Sequence, residues 1–514
     1  MDLLTAILRA SMASFYFVLI CFCALLLRIF MGKSLKHPQY PPVMGTVFHQ
    51  LLYFNRLYDY YTNIARKHPT FRLLAPTQSN LYTMDPQNIE YIVKTNFNKY
   101  SKGSHFHEIL EDLFGDGIFN VDGDEWREQR KIASFEFSTR VLRDFSCAVF
   151  RSKAAKLAET ILRFAAMNQT FDIQDLLMRC SLDSIFKVGF GVDLNCLEGS
   201  SEEGRAFTKA FDDSNRHLCL RFVDPFWKLR RILNLGSEGA LKKNIKIMDD
   251  FVLGVISNRR KQMFELQSYN DKEDILSRFL VESKRDPQRI TDQYLKDIIL
   301  NFMLAGKDTS AGTLSWFLYL LCKHPLIQEK VAEEVREVID CKENGTNIND
   351  FVEWLTDTAL QKMHYLHAAL TETLRLYPAL PGDGRCADTD DVLPDGFRVK
   401  KGDGVFYLAY VMGRMTYIWG EDAEDFRPER WLDNGVFRPE SPFKFVAFHA
   451  GPRICLGKDF AYRQMKIVAM VLLRFFRFRF ADETKQVTYK TMLTLHIDGG
   501  LHLTTIPRVV FDKF

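Results

Sequence analysis

The sequence has no CxxC pair, no zinc-ligand spacing and no framework of closely spaced cysteines, although it contains ten cysteines. These absences exclude a zinc module and a small disulfide-stapled domain, and the scattered thiols indicate a reducing compartment. Internal repeats and low-complexity tracts are missing as well. Lysine plus arginine number 68 against 65 acidic residues, a formal net charge of +3, so no strong positive field would attract nucleic acid.

Charge is also missing from residues 10–27, which are rich in Leu, Phe, Ile, Val and Ala. At ~1.5 Å per residue, this run crosses most of a ~30 Å hydrocarbon layer. It ends in three leucines without the small residues of a signal-peptide cleavage site, which favours an uncleaved anchor over a cleaved signal. Arg28, Lys33 and Lys36 follow the run, so the positive-inside rule predicts a single-pass protein with a cytosolic body.

The rest of the chain has the patterns of a mainly α domain with small β-sheets. A proline-rich elbow at residues 37–42 separates it from the anchor. We therefore expect an anchor at residues 1–31 and one large domain at residues 32–514. Helical spacing predicts three long helices: residues 298–322, 351–376 and 460–478. Alternating hydrophobicity predicts short strands in two stretches: residues 396–406 and 492–505.

The most specific pattern is a cysteine loop ending at Gly457, which matches FxxGxRxCxG at all five fixed positions. With base rates near one in twenty, a chance match occurs in roughly one chain in ten thousand. The loop suits a haem-iron thiolate, with Cys455 as the ligand, because a thiol of pKa ~8.5 needs nearby charge and backbone donors to ionise. Gly451 and Gly457 would let the backbone turn around the sulfur, Arg453 would pair with a haem propionate, and Phe448 would cover the sulfur. A buried structural cysteine is the alternative.

This loop resembles the haem-binding signature of the cytochrome P450 superfamily, and the resemblance extends from the proline elbow to the C-terminal hairpin. It implies the fold of that family, a haem b with an axial thiolate, dioxygen as a substrate and a membrane of the endoplasmic reticulum. The chain departs from the family pattern at the elbow, which lacks a full PPGP, and at Lys307, which would alter proton delivery.

Residues 305–310, Ala-Gly-Lys-Asp-Thr-Ser, place poor helix formers inside an otherwise apolar helix. Gly306 would leave room for dioxygen over the iron. Thr309 would hydrogen-bond the oxygen or a water, and Asp308 would connect that water to solvent as a proton source. The segment is similar to the oxygen-activation motif of the family, so we predict Asp308 and Thr309 as the catalytic pair. A purely structural kink is the alternative.

Glu372 and Arg375 form an ExxR pair with both side chains on one helix face. Four other ExxR matches occur, so position distinguishes this one. Residues 426–431 look like the PERF-type segment of the family, which makes Arg430 the expected third member of a buried network. We assign these three residues to folding and haem retention.

Trp126 and Arg130, four apart on a predicted helix, can both reach a haem propionate. Their spacing is similar to the WxxxR of the family, and a surface cation–aromatic pair is the alternative. The resemblance also makes Arg385 a candidate for a propionate contact, because it follows the ExxR helix at a family-like distance.

Residues 395–404, residues 410–415 and the phenylalanine-rich cysteine loop look like plant fatty-acid ω-hydroxylases. This narrower resemblance implies a long aliphatic substrate oxidised at or near its terminal carbon, and each buried CH₂ would contribute ~0.8 kcal/mol to binding. Alkanes, sterols and terpenoids are alternative substrates, and no residue is identified for holding a carboxylate. The predicted lining residues, four of which are equally suited to the core, are Phe106, Phe114, Phe222 and Phe302, with Leu380 and Leu495 added by family position.

The sequence contains no GxGxxG or phosphate loop, so the chain is not expected to bind NADPH or flavin itself. An NADPH-cytochrome P450 reductase is the implied electron donor, with cytochrome b5 as an additional candidate. Basic side chains near the cysteine loop would form its docking face: Arg127, Lys131, Lys458, Arg463 and Lys466.

Two other classes of function compete with a monooxygenase. A haem-thiolate isomerase or dehydratase would rearrange hydroperoxides without dioxygen, and a haem-based sensor or apolar-ligand carrier would catalyse nothing. The pair of Asp308 and Thr309 argues against both, because neither needs a proton relay. The absence of CxxCH excludes a c-type electron carrier.

Overall fold

A computed structural model describes residues 2–31, 35–76, 79–199, 202–265, 274–339 and 347–508. Lys33, which contributes to the predicted orientation in the membrane, lies outside these residues. Residues 1, 32 and 514, which bound the predicted domains, also lie outside them.

Helices dominate the described residues, since apolar side chains recur with helical spacing along most of the chain. The α-helices are α1 Asp2–Phe30, α2 Val47–Leu52, α3 Leu57–Ala65, α4 Pro86–Glu90, α5 Gly103–Phe114, α6 Gly123–Ser138, α7 Arg140–Ala166, α8 Ile173–Phe190, α9 Cys196–Gly199, α10 Glu202–Arg221, α11 Trp227–Leu233, α12 Ser237–Glu265, α13 Ile275–Arg285, α14 Asp292–Met303, α15 Thr309–Lys323, α16 Pro325–Val338, α17 Ile348–Glu353, α18 Asp357–Lys362, α19 His364–Leu376, α20 Ala409–Met412, α21 Thr416–Trp419 and α22 Lys458–Phe475. Tyr91–Thr95 and Leu304–Asp308 are π-helical.

The strands are short and form one larger sheet and several small ones, which confirms the predicted mainly α class with minor sheet. They are β1 Val43–Thr46, β2 Thr70–Leu74, β3 Ser79–Thr83, β4 Tyr100–Ser101, β5 Phe171–Asp172, β6 Asp383–Ala387, β7 Asp391–Val392, β8 Arg398–Val399, β9 Gly404–Tyr407, β10 Leu432–Asp433, β11 Val436–Phe437, β12 Phe476–Phe480, β13 Tyr489–Lys490, β14 His496–Ile497 and β15 His502–Pro507. The six-stranded sheet has the order β1-β2-β3-β9-β6-β4, and β12-β15-β5 form a three-stranded sheet.

Helix α1 contains an apolar stretch, Ser11–Phe30, that is long enough to cross a membrane and is almost unburied by the rest of the protein. Its last turn touches the body, where Ile29 packs with Val47 and Leu74. The proline-rich elbow that follows ends the helical region, since residues 37–42 form turns and irregular backbone. The helix is therefore consistent with membrane anchoring.

The predicted helix over residues 351–376 is wrong in its continuity, because the segment forms α17, α18 and α19. Thr356 begins α18 by accepting a hydrogen bond from the Ala359 N–H at 3.3 Å. Glu334 accepts hydrogen bonds from the N–H groups of Tyr365 and Leu366 at 2.6 and 2.8 Å. These side chains satisfy the free N–H groups at the helix starts, which makes separate helices possible.

The predicted helix over residues 460–478 is wrong at its end. Helix α22 stops at Phe475, and the alternating Phe-Arg-Phe-Arg-Phe of β12 pairs antiparallel with β15. Alternation buries Phe476 and Phe478 on one face of the sheet.

The predicted helix over residues 298–322 runs from α14 to α15 without a break, but Leu304–Asp308 is π-helical. This π-turn coincides with the poor helix formers that the sequence places there. A π-helical turn inside an α-helix is frequently found at a functional site. The Ser181 hydroxyl of α8 donates to the Gly306 carbonyl at 3.0 Å, which compensates for the altered helix hydrogen bonding.

Candidate functional site

A cavity of about 380 Å³ lies between the π-turn, α5, the six-stranded sheet and the cysteine loop. It gathers predicted site residues that are far apart in the sequence. Those that line it are Phe106, Phe114, Trp126, Arg130, Phe222, Phe302, Thr309, Leu380, Arg385, Phe448, Arg453, Cys455 and Gly457. Those that do not line it are Asp308, Glu372, Arg375, Arg430, Gly451 and Leu495.

Cys455 faces this cavity from the loop that precedes α22. Its N–H donates to the Phe448 carbonyl at 2.9 Å, which closes the loop around the sulfur. Burial raises the pKa of the Cys455 thiol, whereas the Gly457 N–H and the positive charges of Arg130 and Lys458 act to lower it. A bound metal cation would displace the thiol proton, and the Gly457 N–H and the two positive charges would then stabilise the thiolate.

Two glycines of the loop have different physical roles. Gly451 has φ +68, and a Cβ there would lie 1.9 Å from the Val93 carbonyl oxygen, so only glycine permits this close approach. Gly457 has φ −88, and its nearest neighbour would be the Cys455 Sγ at 4.0 Å. The backbone of Gly457 thus has a conformation open to other residues, and its predicted role beside the sulfur stays a prediction.

Three arginines converge on one edge of the cavity, which we call the cationic edge: Arg130, Arg385 and Arg453. Arg130 Nη2 donates to the Ile454 carbonyl at 2.6 Å. Arg453 Nη2 donates to Asp122 at 2.7 Å, and its guanidinium lies 4.5 Å from the centre of the Trp126 ring. Arg385 Nη1 donates to Asp383 at 2.8 Å, while its buried Nε has no hydrogen-bond partner among the described residues.

The charges at this edge are not balanced. Lys102 pairs with Asp383 at 2.5 Å, and burial together with Arg385 lowers its pKa to about 7. Burial and the same arginine lower the pKa of Arg453 to about 10. Cations crowded in this way are stabilised by a ligand with carboxylates, and the unpartnered Arg385 Nε supplies a further donor. The cationic edge and Cys455 together fit a haem with two propionates and a thiolate ligand.

The π-turn brings Thr309 to the cavity. Its hydroxyl donates to the Ala305 carbonyl one turn earlier. Gly306 also lines the cavity, and a Cβ there would lie 2.5 Å from Ile185 Cδ1 of α8. Close packing between the two helices therefore favours this glycine, and its role in leaving room for dioxygen stays a prediction.

Asp308 points away from the cavity into a buried polar group that we call the Lys307 cluster: Asp212, Asn215, Lys307, Asp308, Thr494 and His496. Asp308 Oδ2 accepts hydrogen bonds from Asn215 Nδ2 at 3.0 Å and Thr494 Oγ1 at 3.2 Å. His496 Nε2 lies 3.8 Å from the same oxygen. The cluster thus joins α10, the π-turn and the C-terminal hairpin.

Lys307 lies at the centre of this cluster with its side chain fully buried. Its Nζ is 2.5 Å from Asp212 and 3.0 Å from Asp308. Burial acts to lower the pKa of Lys307, but the two carboxylates hold it above its usual range. Burial raises the pKa of Asp212, whose side chain remains 36% exposed. The cluster therefore connects solvent at Asp212 with Asp308.

Glu372, Arg375 and Arg430 meet outside the cavity and form what we call the ExxR network. Arg375 makes two hydrogen bonds to the Glu372 carboxylate, at 2.7 and 2.8 Å. Arg430 Nε and Trp431 Nε1 donate to the same carboxylate at 3.4 and 2.8 Å. Both arginines also donate to backbone carbonyls, among them that of Ala423.

Two predicted positions disagree with the structure. Leu495 is buried in the core, where its carbonyl accepts a hydrogen bond from Trp316, and the neighbouring Met492 and Leu493 line the cavity instead. Lys466 is only 6% exposed and its Nζ donates to the Leu360 carbonyl at 2.7 Å. It therefore cannot belong to a docking face, and burial lowers its pKa to about 8.

Several cavity and cluster residues were not found from the sequence. Lys102, Asp383 and His449 join the cationic edge, and Asp212 and His496 join Lys307. These contacts join segments far apart in the chain, so no local spacing marks them. The one available signal was Lys307 itself, a lysine in an apolar helix.

Comparisons with known proteins agree along nearly the whole chain. A family model described as Cytochrome P450 matches residues 37–503. Cytochrome P450 704C1 of Pinus taeda is 52% identical over 501 residues, which cover 95% of this chain and 96% of that protein. Cytochrome P450 704B1 of Arabidopsis thaliana is 43% identical over 503 residues, covering 93% and 96%. Cytochrome P450 94C1 of Arabidopsis thaliana is 39% identical over 456 residues, covering 87% and 89%.

Proposed function

Because this chain belongs to the cytochrome P450 family and is a haem-thiolate monooxygenase, we propose that it hydroxylates long-chain fatty acids at or near the terminal carbon. The observation that carries this proposal is the cavity, whose lining beyond the cationic edge is mainly aliphatic and aromatic. Phe106 and Phe222 pack edge to face there with ring centres 5.5 Å apart. Such a wall stabilises CH₂ groups and offers few partners to a polar substrate.

In this proposal Cys455 would supply the thiolate ligand of the haem iron, and Trp126 and the three arginines of the cationic edge would hold the propionates. When bound, the haem supplies the reductive activation of dioxygen, one atom of which enters the substrate while the other leaves as water. The ExxR network ties the helix of Glu372 to residues 413–431, and we assign it to folding and haem retention.

We assign proton handling to the π-turn and the Lys307 cluster. Thr309 lines the cavity and its hydroxyl donates to the Ala305 carbonyl, whereas Asp308, one residue earlier, belongs to the Lys307 cluster. Asp212 takes up protons from solvent and Asp308 delivers them toward the cavity side, with Lys307 holding the two carboxylates close together. Among the described residues that line the cavity, Asp383 is the one carboxylate, and it pairs with Lys102 and Arg385 at the cationic edge.

Electrons must come from a separate protein, and we propose an NADPH-cytochrome P450 reductase, with cytochrome b5 as a second candidate donor. Arg127 and Lys131 are exposed, and Lys458 and Arg463 are half-buried near the cysteine loop. These four cations can attract an acidic partner. We further propose that residues 1–31 anchor the protein in the membrane of the endoplasmic reticulum, with residues 32–514 as the cytosolic catalytic domain.

The proposal is tested with full-length protein in membranes. The reduced, carbon monoxide-bound spectrum should have a thiolate-type Soret band, which Cys455→Ala abolishes and Cys180→Ala, at a buried cysteine outside the cavity, retains. Reductase-supported turnover of a fatty-acid panel should then give terminal alcohols. A normal Soret band with turnover of sterols or terpenoids, and none of fatty acids, would contradict the fatty-acid assignment.

A further inference from the structure

One part of the cavity wall is polar although it lies apart from the cationic edge. Gln50 of α2, Tyr61 of α3 and Tyr82 of β3 meet there, and we call them the donor cluster. Gln50 Nε2 donates to both tyrosine hydroxyls at 2.7 Å, and the hydroxyl oxygens are 3.5 Å apart. All three side chains line the cavity and are at most 4% exposed.

The donor cluster is not satisfied by its own members. Gln50 Oε1 is buried and has no hydrogen-bond partner among the described residues. The two ends of an amide can be exchanged. In the present orientation at least one tyrosine proton lacks an acceptor; in the exchanged orientation the amide N–H groups lack one. Either way the cluster keeps a donor for which its own members supply no acceptor, and burial makes an unmade hydrogen bond costly, which favours a ligand oxygen in the cavity.

These donors are uncharged and held in place. Burial raises the pKa of Tyr82 to about 12 and that of Tyr61 well above its usual range, so both keep their protons at neutral pH. Phe71 and Phe406 stack against the Tyr82 ring with centres 5.2 Å away. No described ion pair or hydrogen bond joins a cationic side chain to the cluster.

The sheet fixes how far the donor cluster lies from the cationic edge. Tyr82 on β3 pairs with Phe406 on β9, which pairs with Gly384 on β6, next to Arg385. Two strand spacings of ~4.8 Å separate Tyr82 from Gly384, about 10 Å along the sheet. Phe406 lies between them and lines the cavity.

We propose that the donor cluster binds the carboxyl oxygen at the far end of a chain whose other end lies between Thr309 and Cys455. This inference rests on the fatty-acid function proposed above and assigns the residues that hold the carboxyl end. Because the donors are neutral, they recognise the carbonyl oxygen and do not require its charge. A fatty acid and its methyl ester therefore bind alike, and an alkane of equal length binds more weakly.

Substrate-binding spectra of the full-length holoenzyme test this with palmitic acid, methyl palmitate and hexadecane. Gln50→Leu and Tyr82→Phe should each raise the Kd of the acid and the ester about tenfold, the value of one hydrogen bond, and leave that of hexadecane unchanged. Oxidation should also spread from the terminal carbon to its neighbours. Tyr100→Phe is the matched control, since this buried hydroxyl donates to Asp391 at 3.2 Å and lies outside the cavity.

Three results would overturn the inference. Equal weakening of hexadecane would show that the residues only pack, and unchanged Kd values for acid and ester would place the carboxyl elsewhere. Binding of the ester about tenfold weaker than the acid by the unaltered protein would show recognition of charge. Failure of the fatty-acid function is distinguishable, because the unaltered protein would then form no hydroxy fatty acid whatever the variants do.

Discussion

The ExxR network and the Lys307 cluster are both buried groups of charges, but they differ in how fully their polar atoms are bonded. In the ExxR network, two arginines and Trp431 donate to one carboxylate, and the arginines fill their remaining donors with backbone carbonyls. In the Lys307 cluster, Asn215 Oδ1 has no hydrogen-bond partner among the described residues, and Asp308 Oδ1 is held by the Lys307 ammonium group alone, at 3.0 Å.

This difference separates two uses of buried charge. A fully bonded network has one arrangement and resists change, whereas an incompletely bonded one keeps alternative partners at similar energy. Only the Lys307 cluster also reaches solvent, through Asp212. We therefore expect changes in the ExxR network to alter stability, and changes in the Lys307 cluster to alter turnover.

The largest effect is expected from Glu372→Gln. Its loss leaves the buried Arg375 and Arg430 without a carboxylate, which should lower the free energy of unfolding by about 3–5 kcal/mol and release haem. Glu282→Gln is the control, because Glu282 and Arg285 have the same spacing but are 51% and 68% exposed and should contribute less than about 1 kcal/mol. Denaturant unfolding and the carbon monoxide spectrum measure both. Equal losses would remove the distinction between buried and exposed pairs.

Asp308→Asn should alter turnover in the Lys307 cluster without the loss of stability expected for the ExxR network. The amide preserves shape, and Asp308 does not line the cavity, so haem and substrate binding should be retained. Product formation should fall by about 100-fold, since the carboxylate no longer transfers protons. Product formed per NADPH consumed is the measurement, and normal coupling would show that Asp308 has a structural role.

Thr309→Ala is the companion variant on the cavity side of the same turn. It should retain the haem spectrum and divert electrons to reduced oxygen species, because a hydroxyl is lost from the cavity lining. The measurement is again product per NADPH, together with released hydrogen peroxide. Hydroxylation with unchanged coupling would contradict our assignment of Thr309.

Lys307→Met removes the ammonium group at the centre of the Lys307 cluster and should have a smaller effect on turnover than Asp308→Asn. Without the ammonium group, the carboxylates of Asp212 and Asp308 repel each other and are held less close together. Turnover should fall roughly threefold to tenfold, up to about 1.4 kcal/mol of barrier, with the pH optimum displaced. A pH profile of turnover is the measurement. Lys323→Met, at the exposed end of α15, serves as control, and equal effects in both would show that Lys307 has no special position.

The smallest effect is expected from His496→Gln. Burial lowers the pKa of His496 below its usual 6.5. The positive charges of Lys307 and Lys490 lower this pKa further, whereas the carboxylates of Asp308 and Asp212 act to raise it. The unfolded chain therefore binds a proton first as the pH falls through 6.5, and the folded protein loses stability from there downward. One group changes this slope by at most ~1.4 kcal/mol per pH unit. Unfolding at several pH values should show a shallower acid decline in the variant; an identical decline would contradict it.

The cysteine loop, the mainly helical class and the ExxR pair could be predicted because their constraints are local. Gly451 has a positive φ, which favours glycine, and Glu372 reaches Arg375 within one helical turn. The helices were less well predicted at their ends. Side chains from other segments, such as Glu334, bond the free N–H groups at helix starts. The hydrophobic periodicity of a segment contains no information on such contacts.

By itself, the sequence determined the anchor-length apolar helix, the family and the cofactor, since spacing within a few residues sets their chemistry. Tertiary structure alone decided which side chains share the cavity. It buried Leu495 and Lys466, turned Asp308 away from the cavity toward Lys307, and brought Gln50 to Tyr61 and Tyr82. The physical reason is that burial and charge pairing act through space between distant segments, whereas helix spacing and turn geometry act along the chain.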